Sequence, residues 1–211
     1  IAIGAAVPAH AADQNVDDVT VVGAEALANA LVGENIEVTN FTYTGSDEAA
    51  GLFSGFADAI GIDSGVLLST GRADHEYLNQ DDEDPIRHSV LYGPNSSGST
   101  GTAMNTEGDA DLEALVDANT YDAAVLEVEF IPEGETVEFN YVFGSEEYPE
   151  FVDSSYNDVF AFFVNGENQA TITGEDGTET FVSINNINAN RNASYFRDNN
   201  RDAEGNSPFN T

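Results

Sequence analysis

The chain has 211 residues, enough for one domain with a full hydrophobic core. It carries 39 Asp plus Glu, five arginines, no lysine and no cysteine, for a formal net charge of -34. That balance argues against nucleic-acid binding, because phosphate backbones need cationic partners, and the missing cysteine excludes disulfides, thiolate metal sites and a cysteine nucleophile.

Residues 1–11 (IAIGAAVPAHA) have the form of a signal-peptide end: an apolar run, a proline, then the small-x-small pattern Ala9-His10-Ala11. Cleavage is expected at the Ala11–Ala12 bond. The rival reading keeps residues 1–7 as an apolar strand lent to a neighbouring subunit. Residues 23–32 space Ala26, Leu27, Ala30 and Leu31 for a short helix with Gly33 as its stop. Residues 37–44 alternate as a strand that turns at Gly45-Ser46-Asp47, and residues 66–69 form another short strand. Residues 72–101 are a long polar region holding Asp81, Asp82, Glu83 and Asp84 and the Ser/Gly tract 95–101; loops of that length usually signal function or mobility. A second short helix is expected over 109–116, N-capped by Asp109.

A strand at 124–130 and a turn at 132–135 then lead into the stretch around which the chain is organised. Over 137–143, Val137, Phe139, Tyr141 and Phe143 alternate with Glu138 and Asn140, the period of a half-buried strand. Residues 159–164 are apolar throughout, which predicts a strand covered on both faces. Residues 166–177 are polar with two turn signals, 181–187 read as a last strand, and 188–211 form a tail rich in Asn, Arg and Asp. No stretch reaches membrane-spanning length. The expected fold is all-β, a mainly antiparallel, jelly-roll-like β-sandwich with two short helices, formed as one acidic domain over 12–211.

Between the two central strands, residues 144–158 carry Glu146, Glu147, Glu150, Asp153 and Asp158 with no basic residue. Calcium takes hard oxygen ligands of this kind, and Glu146, Glu147, Asn157 and Asp158 are the candidate metal ligands because they flank the strand ends. The alternative is structural: the same oxygens cap turns and bond backbone N–H groups. No EF-hand spacing occurs. Asp81 to Asp84 read as a solvated acidic face, and Asp109 and Asp111 as helix-cap residues. Catalysis is not expected. Adjacent Glu146 and Glu147 point to opposite faces of an extended segment, so only Glu147 with Asp158 could serve a glycosidase, and tryptophan, a favoured sugar platform, is absent. His75 and His88 lack zinc-site spacing, no GxSxG elbow occurs, and Ser96 to Gly101 lacks the lysine of a phosphate loop. Asn40, Asn95 and Asn192 begin Asn-x-Ser/Thr triplets.

A charge of -34 disfavours a compact state unless it is offset. Molar salt, which shrinks the Debye length to about 3 Å, predicts a halophilic source. Bound divalent cations predict a calcium-loaded surface protein. The two are compatible, and the absence of lysine favours the saline one.

The segment FGSEEYPEF followed by SSYNDVFAFFVNG resembles the signature of the choice-of-anchor L domain, a family of secreted bacterial and archaeal surface domains named for the varied C-terminal anchors that follow them. The resemblance extends to ALANALVG, NFTYTG, AGLF, IDSGVLLSTG, GDADL, DAAVLEVEF and VSINNIN, and so runs from about Val19 to the end. It implies a secreted or cell-surface location. It also implies further C-terminal strands and then an anchor, so the domain is expected to be truncated at its C-terminal end. The resulting expectation is a structural or adhesive domain of the cell surface or extracellular matrix, calcium-stabilised, self-associating into filaments or matrix by strand exchange through residues 1–7 or an open sheet edge. The alternative is a calcium-dependent module that binds a surface glycan, and a glycoside hydrolase comes last.

Overall fold

Leu27, fully buried, is the point where the first half of the chain comes together. A computed structural model describes residues 15–33, 36–73, 76–77, 86–87 and 103–198. It opens with β1 (Asn15–Asp18), α1 (Val19–Val22), α2 (Ala24–Val32), β2 (Glu37–Thr44), β3 (Ala50–Ser54), α3 (Ala57–Ile60) and β4 (Ser64–Leu68). There follow β5 (Glu76–Tyr77), β6 (Ile86–Arg87), α4 (Ala110–Val116) and β7 (Val125–Ile131). Then come β8 (Val159–Phe160), β9 (Phe163–Val164), β10 (Glu167–Asn168), β11 (Thr171–Thr173), β12 (Glu179–Ser183) and a 3-10 turn at Ala193–Tyr195.

The described strands pair antiparallel into small sheets ordered β1-β3-β4, β2-β7, β11-β12-β8, β9-β10 and β5-β6. Strands therefore dominate, in antiparallel pairs, and the sheets do not close on one another. α2 lies where the first two sheets meet: Leu27 shares a cluster with Val19, Ala50, Leu52 and Val66 on one side and Tyr43 and Leu126 on the other. Gly33 ends α2 as expected, at φ +83°, its N–H donating to the Asn29 carbonyl at 3.2 Å. A second cluster joins Val16, Phe53, Phe56, Leu67 and Ala73, with Phe53 and Phe56 edge to face at 5.9 Å. Gly51 permits β1 to lie this close to β3, since a Cβ there would stand 2.5 Å from the Asp17 carbonyl oxygen.

The Asp109 cap is present. One carboxylate oxygen accepts from the N–H groups of Asp111 and Leu112, both at 3.0 Å, at the start of α4. Asp109→Ala is expected to destabilise the protein by about 1 kcal/mol, read as a lower urea midpoint at unchanged slope, whereas Asp109→Asn should leave the midpoint in place.

Four expectations need correction. Residues 137–143 do run beside 159–164, with Phe139 against Phe162 (4.4 Å between ring centroids) and Tyr141 against Phe160 (4.9 Å). The ring pairs supply the contact, but no backbone ladder forms, so this stretch is extended chain and not a strand. The apolar run 159–164 is split into β8 and β9, and it is not covered on both faces: Phe163 is 38% and Val164 43% exposed. The last strand begins earlier and stops sooner than expected, at Glu179–Ser183, because Ser183 and the asparagines after it turn the chain. Finally, the helices number more than two, since α1 and α3 add single turns. The expectations for residues 1–11, His10, His75, Asp81 to Asp84, His88, Asn95 and the end of the tail lie outside the described residues.

Candidate functional site

The acidic loop is held by its neighbours' asparagines. β12 delivers the chain into residues 184–192, where five asparagines occur in nine positions. Asn185 clamps the acidic loop from three directions. Its Oδ1 accepts from the Asp153 N–H at 2.6 Å, its Nδ2 donates to the Ser154 carbonyl at 3.1 Å, and its own N–H donates to Asn157 Oδ1 at 3.0 Å. Asn188 closes the clamp from below. It is 2% exposed, its Nδ2 donates to the Ile184 carbonyl at 3.0 Å, and its Oδ1 accepts from the N–H groups of Asn190 at 2.9 Å and Arg191 at 3.0 Å. Asn192, 7% exposed, ties the far end by bonds to Asn186 and Glu175. Short amide side chains suit this role because each offers donor and acceptor at once, close to the backbone.

The candidate ligands sit on this frame. Asp158 stands at the entry to β8. Its Oδ2 accepts from the Ser145 hydroxyl at 2.7 Å, and its carbonyl accepts from the Ile184 N–H at 3.2 Å. Ser145 Oγ in turn accepts from the Glu147 N–H at 3.1 Å, which folds the SEEY segment back toward Asp158. Asn157 Oδ1 is engaged with Asn185, so this oxygen plays the structural part weighed against metal ligation. Glu146 and Glu147 are half-buried. Burial first, and then the charges of Asp158, Glu146 and Glu150, hold the Glu147 carboxyl above the usual carboxylate range. Tyr148 is pushed up to about 12 by burial and by Asp158, and its hydroxyl donates to the Ile187 carbonyl, another stitch between the two loops. Its ring packs on Phe196 at 4.9 Å. Beneath the loop, Phe143, Phe160 and Phe162 cover the cluster of Ala170, Ile172, Val182 and Ile187.

The structure therefore brings Glu147, Asp158 and Asn157 to one frame, with Glu146 and Glu150 acting on Glu147 through space. Among the described residues no three His, Asp or Glu side chains stand together as a ready-made metal cage. Sequence reasoning missed Ser145, Asn185 and Asn188. The signal was the run NNINAN after an apolar strand, a density of turn-forming amides that marks a hydrogen-bonded loop.

A raised carboxyl pKa has a definite sign. The fold favours protonated Glu147, so its contribution is fully present below the unfolded value, near 4.3, and is lost as pH rises through the folded value. At pH 7, with divalent ions removed, Glu147→Gln is expected to raise the melting temperature slightly, by the equivalent of no more than about 0.5 kcal/mol, since water still reaches this half-buried site and screens it. Below about pH 4 the two proteins should melt together. Differential scanning calorimetry in a chelator at both pH values checks this.

A family model described as the choice-of-anchor L domain matches residues 15–211, essentially the whole chain. No curated protein and no solved structure matches it. Among the described residues no helix is long and apolar enough to cross a membrane.

Proposed function

Because the chain belongs to the choice-of-anchor L domain family, whose members are surface-anchored or secreted, we propose that it is a structural or adhesive domain of the cell surface or matrix, with calcium held at the acidic loop. The observation that carries this reading is the crowding of Glu147 by the Asp158, Glu146 and Glu150 charges on a loop whose Asp158 carboxylate is fixed by the Ser145 hydroxyl and whose 153–157 segment is held by Asn185. Five arginines cannot neutralise 39 acidic side chains, and the ion pair Arg72–Glu48, at 3.5 Å, is exposed and contributes little. A hard divalent cation supplies the missing charge locally.

Glu147 and Asp158 would be the principal ligands, with Glu146 beside them and Asn157 offering the lone pair its Oδ1 has left. Since the carboxylates do not form a cage as they stand, binding draws them together and leaves main-chain carbonyls and water to complete the six to eight oxygens that calcium takes. Equilibrium dialysis against calcium, followed by metal analysis, tests this. The expected result is a saturable ion lost in the Glu147→Gln/Asp158→Asn variant, and no retained calcium would overturn the assignment.

Assembly through an open edge is the reading of its partner chemistry that the surface favours. The extended stretch 137–143 carries no ladder, and beside it Val137, Tyr141, Val142, Phe163 and Val164 are between 38% and 50% exposed. Unpaired backbone with apolar side chains is what a strand from another copy can complete. Light scattering in molar salt and calcium should show concentration-dependent oligomers; monomers at every condition would count against it.

A further inference from the structure

Three asparagines begin the triplet that accepts an N-linked glycan in exported proteins: Asn40-Phe41-Thr42, Asn95-Ser96-Ser97 and Asn192-Ala193-Ser194. Asn95 lies outside the described residues, and the fold treats the other two in opposite ways. Asn192 is 7% exposed at φ +52°, its Oδ1 accepts from the Glu175 N–H at 2.9 Å, and its Nδ2 donates to the Asn186 carbonyl at 2.8 Å. Nδ2 is the atom a glycan would occupy. A sugar there displaces the bond to Asn186 and prises the asparagine loop from the turn at Glu175.

Asn40 is placed on the outside. The pairing of β2 with β7 shifts between Val38 and Asn40, after which Asn40 lies opposite Glu129 and Thr42 opposite Glu127. The two-residue period of a strand puts Asn40 and Thr42 on one face. Asn40, Thr42, Glu127 and Glu129 are all exposed, whereas Tyr43 and Leu126, one residue out of phase, pack toward Leu27. Among the described residues no hydrogen bond engages the Asn40 amide. The outer face of the β2-β7 sheet is thus polar, open and free of any bond that a glycan would break.

We propose that Asn40 carries an N-linked glycan and that the Asn192 triplet stays unmodified in the folded protein. In the transfer, Nδ2 of Asn40 attacks the anomeric carbon of a lipid-linked glycosyl phosphate. The anomeric C–O bond breaks, the lipid phosphate leaves with the electron pair, and the amide nitrogen gives up one proton as the N-glycosidic bond forms. Of the two described triplets, only that of Asn40 leaves its Nδ2 free of a bond that the folded chain needs. The proposal rests on export of the chain, and it is independent of calcium.

The test is glycopeptide mass spectrometry of the full chain secreted by a host that performs asparagine-linked glycosylation. The expected result is one glycan at Asn40 in most molecules. It should be absent from Asn40→Gln and from Thr42→Val, which removes the acceptor hydroxyl and keeps the asparagine. Ser194→Ala, which destroys the second triplet without touching Asn192, should leave the glycan mass unchanged. Folded, secreted protein with a bare Asn40, or with sugar on Asn192, overturns the proposal. Finding the native chain only inside its own cells would instead remove the export on which it rests.

Discussion

Replacing Asn188 with alanine is expected to lower the melting temperature by about 5–15 °C, the shift that a loss of about 2–4 kcal/mol produces in a domain of this size. The side chain is 2% exposed, and four backbone groups depend on it: the Ile184 carbonyl, the Asn185 carbonyl at 3.4 Å, and the N–H groups of Asn190 and Arg191. Alanine leaves the carbonyls of buried Ile184 and half-buried Asn185, and the N–H groups of Asn190 and Arg191, without this partner. Each orphaned group costs about 1–3 kcal/mol, partly relieved where Arg191 N–H also reaches the Asn188 carbonyl at 3.3 Å. Asn190→Ala is the control. Its side chain is exposed, makes none of the described bonds, and should change stability by less than about 0.5 kcal/mol. Equal effects at the two positions would mean that the loop is held by something other than this amide.

The same variant reaches the acidic loop indirectly. Asn185 follows Ile184 directly and lies three positions before Asn188 in the turn that Asn188 supports, and it is the residue that grips Asp153, Ser154 and Asn157. Loosening that turn frees the carboxylates to move apart, which relieves their repulsion and removes the preorganisation that a cation would use.

Some of this was legible in the residues. α2 with its glycine stop, α4 with Asp109 and β2 from Glu37 to Thr44 follow from periodicity and capping chemistry, which act within a few residues of each other. β1 was hidden because NVDD carries two acids in four residues. Asp18 is nevertheless buried there, since its carboxylate is occupied as the cap of α1, accepting from the Thr20 N–H at 3.0 Å. The stretch 137–143 shows the converse. Alternation announced its side-chain pairing correctly, and Phe139 and Tyr141 do meet Phe162 and Phe160, but alternation carries no information about whether the backbones approach closely enough to bond. For the site, the crowding around Glu147 could be read from composition, whereas the frame beneath it could not. Asn185 lies 28 residues beyond Asn157, and nothing local to either position announces the other.

The second large effect concerns the cation. An ion that binds only the folded protein adds RT ln(1 + [L]/Kd) to its stability, about 2.7 kcal/mol at one hundred times Kd, or about 5–11 °C for a chain of this length. Monovalent salt also stabilises a protein of net charge -34, by screening, so the two contributions must be separated at matched ionic strength. In wild-type protein, chelation should remove the calcium increment and leave the screening increment untouched. In Glu147→Gln/Asp158→Asn the baseline should rise slightly, because the repulsion is gone, while the calcium increment disappears.

The decisive measurement is therefore the melting temperature of both proteins in calcium chloride and in sodium chloride of equal ionic strength. A calcium-specific rise of several degrees in the wild type that is absent from the double variant is the predicted outcome. Identical melting in the two salts, or a calcium rise that survives the loss of both carboxylates, would contradict a cation held at the acidic loop.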